Sequence, residues 1–346
     1  MTERKTPFDI KSPPKKRQAR SKKDGGVKKL LIIGIAQGIL ETYENVKTLM
    51  KLLNLEKIDF IIATDYKLCN ILMGLQAHGC AFRCPFCKVR YNHFHDPNRQ
   101  VCENNLRTLG DIRYWARKFQ EHCEWNYPED HSKGLKDAMD FYNCVRMPLF
   151  DLPDSTPIWD ITPLAELHLR LGCVNSIVEE LNNRWSKYSK IEDPFWKFCD
   201  ANNIKKITYR GKALEGPGTL LLLSKLDLLE ASVPRRFHNF VAALRAFNTL
   251  YFSCFRMELN ENWKVDLDNF NTAFKNLKWS PGSTKIHIIL DHLRQFVDRK
   301  GSLGHYNEQA SEAVHADWIK TWDCYKKYPH EDNLLRAVLR YNYRHE

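Results

Sequence analysis

Two cysteines and two histidines have the spacing of metal-ligand pairs, although the pairs lie far apart in the chain. Cys84 and Cys87 belong to the motif CPFC, whose i, i+3 spacing lets two thiolates reach one tetrahedral zinc ion. His287 and His292 belong to HIILDH, on a predicted helix. A kinked or terminal helical turn can bring two histidines five residues apart onto one metal. Together the pairs predict a structural Zn²⁺ site that joins distant parts of the chain.

Other assignments of these ligands are open from the residues alone. One CxxC motif is only half of a zinc site, and several candidate partners lie nearer to it in sequence: Cys80, His93, His95 and Cys102. In the alternative interpretation without a metal, Cys84 and Cys87 are core thiols and the two histidines lie on the surface.

Carboxylates supply a second kind of candidate site. Asp65 follows Ile58–Ala63, an apolar run with the length and β-branched content of a buried strand. Glu308 and Glu312 lie one turn apart on a helix predicted after the GSLG turn at 301–304, and therefore share a face. Hard oxygen ligands suit Mg²⁺ or Mn²⁺, so one glutamate could meet Asp65 at a metal. Alternatively, Asp65 is a helix N-cap and the glutamates complement a helix dipole.

The elements that must position these residues fall into two groups. Lys29–Ala36 is a second predicted strand, and the helical spacing of Glu41–Leu53 between the two strands predicts a βαβ unit with parallel pairing. From Arg90 onward the pattern is helical. Helices are predicted at 105–123, 163–185, 194–202, 218–230, 234–257, 263–277, 285–299, 306–325 and 331–343.

Composition limits the class of protein. The chain has 346 residues, 43% of them hydrophobic, which suffices for a large core. No run of 18 apolar residues is present, so no membrane span is expected. Eleven cysteines without a signal-peptide pattern predict a reducing compartment.

Positive charge is concentrated at the N-terminus. Residues 1–29 hold eight Lys and three Arg against three acids, which accounts for +8 of the net charge of +11. This pattern predicts a nuclear localisation signal or a DNA-phosphate-binding arm. The alternative is a solvated, disordered tail with neither role. The candidate nucleic-acid contacts are Lys15, Lys16, Arg17, Arg20, Lys22 and Lys23.

The order of these features resembles the catalytic core of the V(D)J recombination-activating recombinase and the related Transib transposases. The shared order is an apolar strand ending in Asp, a CxxC motif, a long helical insertion, HxxxxH, a GSLG turn and a helical Glu. The resemblance runs from about residue 30 to residue 342. It implies a ribonuclease H-like fold, a DDE carboxylate triad with two metal ions, and a zinc site formed by CxxC and HxxxxH.

Residue by residue, the resemblance makes Asp65 the second catalytic Asp and Glu312 the catalytic Glu, both ligands of Mg²⁺ or Mn²⁺. Cys84, Cys87, His287 and His292 become the zinc ligands. His168, in the segment PLAELHLRLGCVN, either approaches the DNA or active site or is an interior histidine.

The expected fold class is therefore α/β + α, a partial ribonuclease H-like βαβ core interrupted by a long, mostly helical, zinc-stapled insertion. The predicted domains are a disordered basic tail (1–28), the N-terminal part of the core (29–87), the helical insertion (88–284), and the zinc-closing and catalytic helices (285–346).

One departure from the family concerns its first catalytic Asp. Only a basic tail precedes Lys29–Ala36, and Asp9 and Asp24 lie in no strand pattern, so the first strand and carboxylate are expected to be missing. The hypothesis is a truncated, transposase-derived nuclear DNA-binding protein, with a homodimer as its candidate assembly, that cleaves and transfers DNA strands only if a first carboxylate is supplied. One alternative is a non-catalytic domesticated DNA-binding or interaction protein on the same scaffold. Another is an unrelated zinc-stapled helical protein.

Overall fold

The structure of the chain is a computed structural model that describes residues 40–55, 61–76, 79–94, 105–207, 212–279 and 282–306. These residues belong to one compact unit that spans Ile33–Gln309. Several predicted features lie outside the described residues. They are the basic tail, the predicted strand Lys29–Ala36, Ile58–Phe60, the rival ligands His95 and Cys102, the glutamates Glu308 and Glu312, and the helices predicted at 306–325 and 331–343, of which only Tyr306 is described.

The described part of the chain is mostly helical. Its α-helices are α1 (Tyr43–Leu52), α2 (Tyr66–Leu72), α3 (Leu109–Asn126), α4 (Ile158–Ile161), α5 (Glu166–Ser189), α6 (Pro194–Ala201), α7 (Gly216–Leu223), α8 (Leu226–Ser232), α9 (His238–Cys254), α10 (Trp263–Lys275), α11 (Thr284–His287) and α12 (Leu293–Lys300). A 3₁₀ helix occupies His131–Phe141, and shorter 3₁₀ turns occupy Tyr91–His93, Arg235–Phe237 and Leu303–Tyr306. None of the described helices is long and apolar enough to cross a membrane.

Strands are few among these residues. One antiparallel pair, β1 (Lys206–Ile207) and β2 (Ala213–Leu214), forms a two-stranded sheet with Lys206 opposite Leu214. The described end of the predicted strand, Ile61–Ala63, and Asp65 after it are not part of a sheet. The Ile62 N–H donates to Ile161 O (2.9 Å), at the end of α4. A strand must pair with a neighbouring strand, and the described part of the chain has no strand beside this segment. The coarse α/β + α class is compatible with the fold, whereas a ribonuclease H-like core remains a prediction.

The core forms around α5 and α9. Both helices bury a continuous apolar face, which in α5 includes Leu169, Val174, Ile177 and Leu181, all 0% exposed. This face corresponds to the periodicity that predicted a helix at 163–185. The helix predicted at 218–230 divides into α7 and α8, because the chain turns at Ser224 and Lys225.

A glycine turn after α2 controls how the chain packs near residue 146. Gly74 has φ +68°, and a Cβ atom there would lie 2.1 Å from Arg146 O. Gly74 O accepts the N–H groups of Val145 (3.1 Å) and Arg146 (3.0 Å). Only glycine fits this approach without displacing the 145–147 segment.

Candidate metal centre

The four predicted zinc ligands meet at one buried point. Their ligand atoms all lie within 4.8 Å of one another, and each of the four residues is 0% exposed. Cys87 is 200 positions from His287, and Cys84 is 208 positions from His292. The cluster therefore joins a loop before α3 to the helical segment from α11 to α12.

The distances within the cluster match the edges of a tetrahedral metal site. Cys84 Sγ lies 3.5 Å from His292 Nε2, and Cys87 Sγ lies 3.3 Å from His287 Nε2. The two Nε2 atoms are 3.1 Å apart. Zinc–sulfur bonds of about 2.3 Å and zinc–nitrogen bonds of about 2.0 Å at tetrahedral angles require S···N edges of ~3.5 Å and N···N edges of ~3.3 Å. This donor set could hold a metal ion such as zinc.

A π-helical turn brings the two histidines onto one face. In an α-helix five residues turn through about 500°, which would leave the two side chains about 140° apart around the axis. Residues Ile288–His292 instead form a π-helix between α11 and α12. Its i→i+5 hydrogen bonding places residue i+5 near residue i, so both imidazoles point to the same site.

A carboxylate fixes the protonation of one imidazole. His287 Nδ1 pairs with the Asp291 carboxylate one turn later, while its Nε2 faces the cluster. The Nδ1–H donates to Asp291, which leaves the Nε2 lone pair free for a metal ion. His292 Nδ1 is buried without a hydrogen-bond partner within the described part of the chain.

An aromatic shell closes the cluster to water. The Phe94 ring stacks on His287 with centroids 3.9 Å apart and an interplanar angle of 3°. Phe86 and Trp159 meet the His292 ring edge-on, with centroids 6.3 and 6.4 Å away. A metal ion held here would have no open path for a substrate, which is the arrangement of a structural site rather than a catalytic one.

The pKa values of the two thiols are shifted in opposite directions. Burial raises the pKa of Cys84 well above its usual range, and the neighbouring Cys87 sulfur adds to this effect. Burial acts on Cys87 in the same direction, but the hydrogen bond from Cys84, the charge of His292 and the hydrogen bond from His287 together hold its pKa well below the usual value. One thiolate is therefore favoured even before a metal ion displaces the second proton.

Arg107 holds the loop that carries Cys84 and Cys87 in place, a role that was not predicted from the sequence. Its side chain is 1% exposed, and Nε donates to Cys87 O (2.9 Å) while Nη2 donates to Tyr142 O (2.9 Å). Nη1 lies 3.3 Å from Cys144 Sγ. Backbone bonds from Lys88 N–H to Asn105 O and from Arg107 N–H to Phe86 O complete the clamp. A lone Arg in a polar stretch has no sequence signal of this role, because its partners are backbone carbonyls.

The other predicted residues have the following positions. The rival ligands Cys80 and His93 are not members of the cluster. Asp65 is half-buried and is the N-cap of α2, where Oδ1 accepts the Leu68 N–H (2.7 Å). This is the capping role that the sequence left open. His168 is half-buried on α5.

Fold and site thus define a mostly helical protein with a buried Cys₂His₂ cluster that could hold a metal ion. No protein-family model matches the chain, and a search of curated proteins finds no match either.

Proposed function

We propose that this chain is a DNA-binding protein of the DDE transposase type. Its scaffold resembles that of the V(D)J recombinase and the Transib transposases, with zinc as a structural ion. In this proposal Asp65 and Glu312 hold Mg²⁺ or Mn²⁺, and DNA strand cleavage and transfer proceed only where a first carboxylate is supplied in addition. The basic segment from Lys15 to Lys23 binds DNA phosphates and directs the chain to the nucleus.

The observation that carries the proposal is the convergence of the two ligand pairs. The resemblance requires that CxxC and HxxxxH, about two hundred residues apart, share one ion. The distances Cys84 Sγ–His292 Nε2, Cys87 Sγ–His287 Nε2 and His287 Nε2–His292 Nε2 are those of tetrahedral edges, and all four ligand atoms lie within 4.8 Å of one another. A chance pairing of a core CxxC motif with two surface histidines would not produce four buried donors.

The surroundings of Asp65 also support the proposal. Lys285 lies two residues before His287. Burial lowers the pKa of Lys285, whereas the negative charge of the Asp65 carboxylate acts to raise it, so the two side chains interact electrostatically. The Lys285 stem passes over Gly172, where a Cβ atom would lie 2.0 Å from the lysine Cδ. Asp65 is therefore close to the helical segment that carries His287 and His292.

Plasmid nicking by the full chain in Mg²⁺ or Mn²⁺ tests the catalytic part. Nicking by the wild-type chain would mean that a first carboxylate is supplied; Asp65→Asn and Glu312→Gln should then abolish it, whereas the matched control Glu308→Gln, one predicted turn earlier, should retain it. Asn replaces Asp at an N-cap with little loss of stability, so Asp65→Asn removes the charge and keeps the cap. Nicking that survives both Asp65→Asn and Glu312→Gln would refute the assignment of these carboxylates.

A non-catalytic DNA-binding protein on the same scaffold is the second candidate. The observation that favours it is the use of Asp65 Oδ1 as a helix cap, a structural role that needs no metal. It predicts DNA binding with a steep salt dependence, carried mainly by residues 1–29, and no nicking by the wild-type chain in either metal. Fluorescence anisotropy with labelled duplex DNA, with and without residues 1–29, measures this. Equal affinity in both chains at every salt concentration would contradict the role of the basic segment.

A further inference from the structure

A cavity remote in sequence from the metal ligands opens between α1, α3 and the 3₁₀ helix His131–Phe141. Its volume is about 390 Å³, within the range of small-molecule sites. The lining residues that matter for binding are Glu44, Lys47, Phe119, Leu135, Val145 and Arg146. None of the proposed metal ligands or catalytic residues is among them.

The cavity has an apolar part formed by three elements. Phe119 of α3 is 5% exposed and Val145 is 8% exposed, and Leu135 of the 3₁₀ helix completes this surface. An aromatic or aliphatic group placed here would be removed from water on several sides. Apolar burial supplies affinity in such a site, and a few polar groups determine which ligand is accepted.

Two cations each lie near the ring of Tyr43 at the cavity wall. The Arg146 guanidinium carbon lies 5.0 Å from the centroid of the Tyr43 ring, and Lys47 Nζ lies 5.9 Å from it. The Tyr43 hydroxyl donates to Met147 O (2.8 Å), which fixes the ring. Neither cation forms an ion pair with a described carboxylate within 4.0 Å.

The charge of the lining favours an anion. Lys47 and Arg146 face one carboxylate in the cavity, that of Glu44, which leaves a net positive charge before any protonation of His131. An anionic group bound in the cavity would be attracted by this net positive charge. The Glu44 carboxylate would repel a second anionic group, so a ligand with one anionic group fits best.

We propose that this cavity binds a small organic anion, with its phosphate or carboxylate attracted by Lys47 and Arg146 and its apolar body against Phe119, Leu135 and Val145. This site is independent of the proposed DNA chemistry.

A titration of the full, zinc-loaded chain with 4-fluorophenyl phosphate, followed by ¹⁹F NMR, tests the proposal. One molecule should bind per chain. Inorganic phosphate and 4-fluorobenzyl alcohol should each bind at least tenfold more weakly, because each lacks one half of the ligand. 3-(4-Fluorophenyl)propionate distinguishes a carboxylate ligand from a phosphate one, since the preferred anion binds more tightly.

Matched variants locate the site. Lys47→Gln and Arg146→Gln should each weaken binding at least tenfold, whereas Lys51→Gln, an exposed position on α1 outside the cavity lining, should change it less than twofold. Circular dichroism and zinc content verify that each variant is folded. Absence of binding at millimolar ligand, unchanged affinity in the Lys47→Gln Arg146→Gln double variant, or an equal loss in Lys51→Gln would overturn the proposal.

Discussion

A metal ion held by the cluster of Cys84, Cys87, His287 and His292 should supply much of this protein's stability. The cluster ties together two segments 200 positions apart, so it acts as a cross-link that closes a very long loop. With the loop-closure relation used for covalent cross-links, a loop of that length corresponds to about 5 kcal/mol of the free energy of unfolding. A domain is typically stable by roughly 5–15 kcal/mol, so the loss is a large fraction of the total. Four buried polar side chains would also be left without their ion.

Urea unfolding, followed by tryptophan fluorescence, measures this effect. Trp159 lies 6.4 Å from the His292 ring and should respond directly to the loss of the cluster. The chain with saturating zinc is compared with the chain in excess chelator, and the extrapolated free energies should differ by about 5 kcal/mol. Zinc bound per chain is determined in parallel.

Two cysteine variants provide the control for that experiment. Cys84→Ser should lose stoichiometric zinc and unfold like the chelated wild type. Cys80→Ser alters a buried thiol four residues away that is outside the cluster, and it should keep one zinc per chain. A difference of less than about 1 kcal/mol between zinc-loaded and chelated chains, or equal zinc loss in both variants, would refute the cross-link reasoning.

Three further predictions concern residues near the cluster and in the core. Arg107→Met removes the donors to the carbonyl groups that hold the cysteine loop and should weaken zinc binding about 10- to 100-fold in a competition assay with a chromogenic chelator; unchanged affinity would contradict a positioning role. Asp65→Ala, which loses the hydrogen bond to Leu68 N–H, should lower the free energy of unfolding by about 1 kcal/mol, whereas Asp65→Asn should leave it nearly unchanged; equal losses in the two variants would argue against capping. Burial raises the pKa of Cys69 and Cys199 to about 12 from an ordinary value of 9.0. Their stabilising contribution is complete below pH 9 and is lost as the pH rises toward 12. Each thiol should therefore lower the free energy of unfolding by about 1 kcal/mol at pH 10, and urea midpoints at pH 8 and pH 10 should show a smaller difference in the Cys69→Ala Cys199→Ala variant.

Periodicity predicted the helical body well. Helices predicted at 163–185, 194–202 and 263–277 correspond to α5, α6 and α10 with shifts of a few residues at the ends. Each of these helices buries an apolar stripe that is visible in the sequence, because the α-helical repeat is a local property. The predicted strand at 58–63 shows the limit of local reasoning. Its described end, Ile61–Ala63, has the composition of a strand but no neighbouring strand in the described part, and composition alone does not provide a pairing edge.

By itself the sequence determined which side chains could bind a metal, because thiolate and imidazole chemistry is present wherever Cys and His occur and their short spacings restrict the partners. Only the tertiary structure decided that the two pairs meet. The α-helical repeat would have turned His292 away from His287, and the π-helical turn brings them together. The roles of Asp291 and Arg107 were also decided by packing, since one orients an imidazole and the other binds carbonyl oxygens of distant segments. Such contacts depend on the relative placement of segments far apart in the chain, which no local pattern encodes.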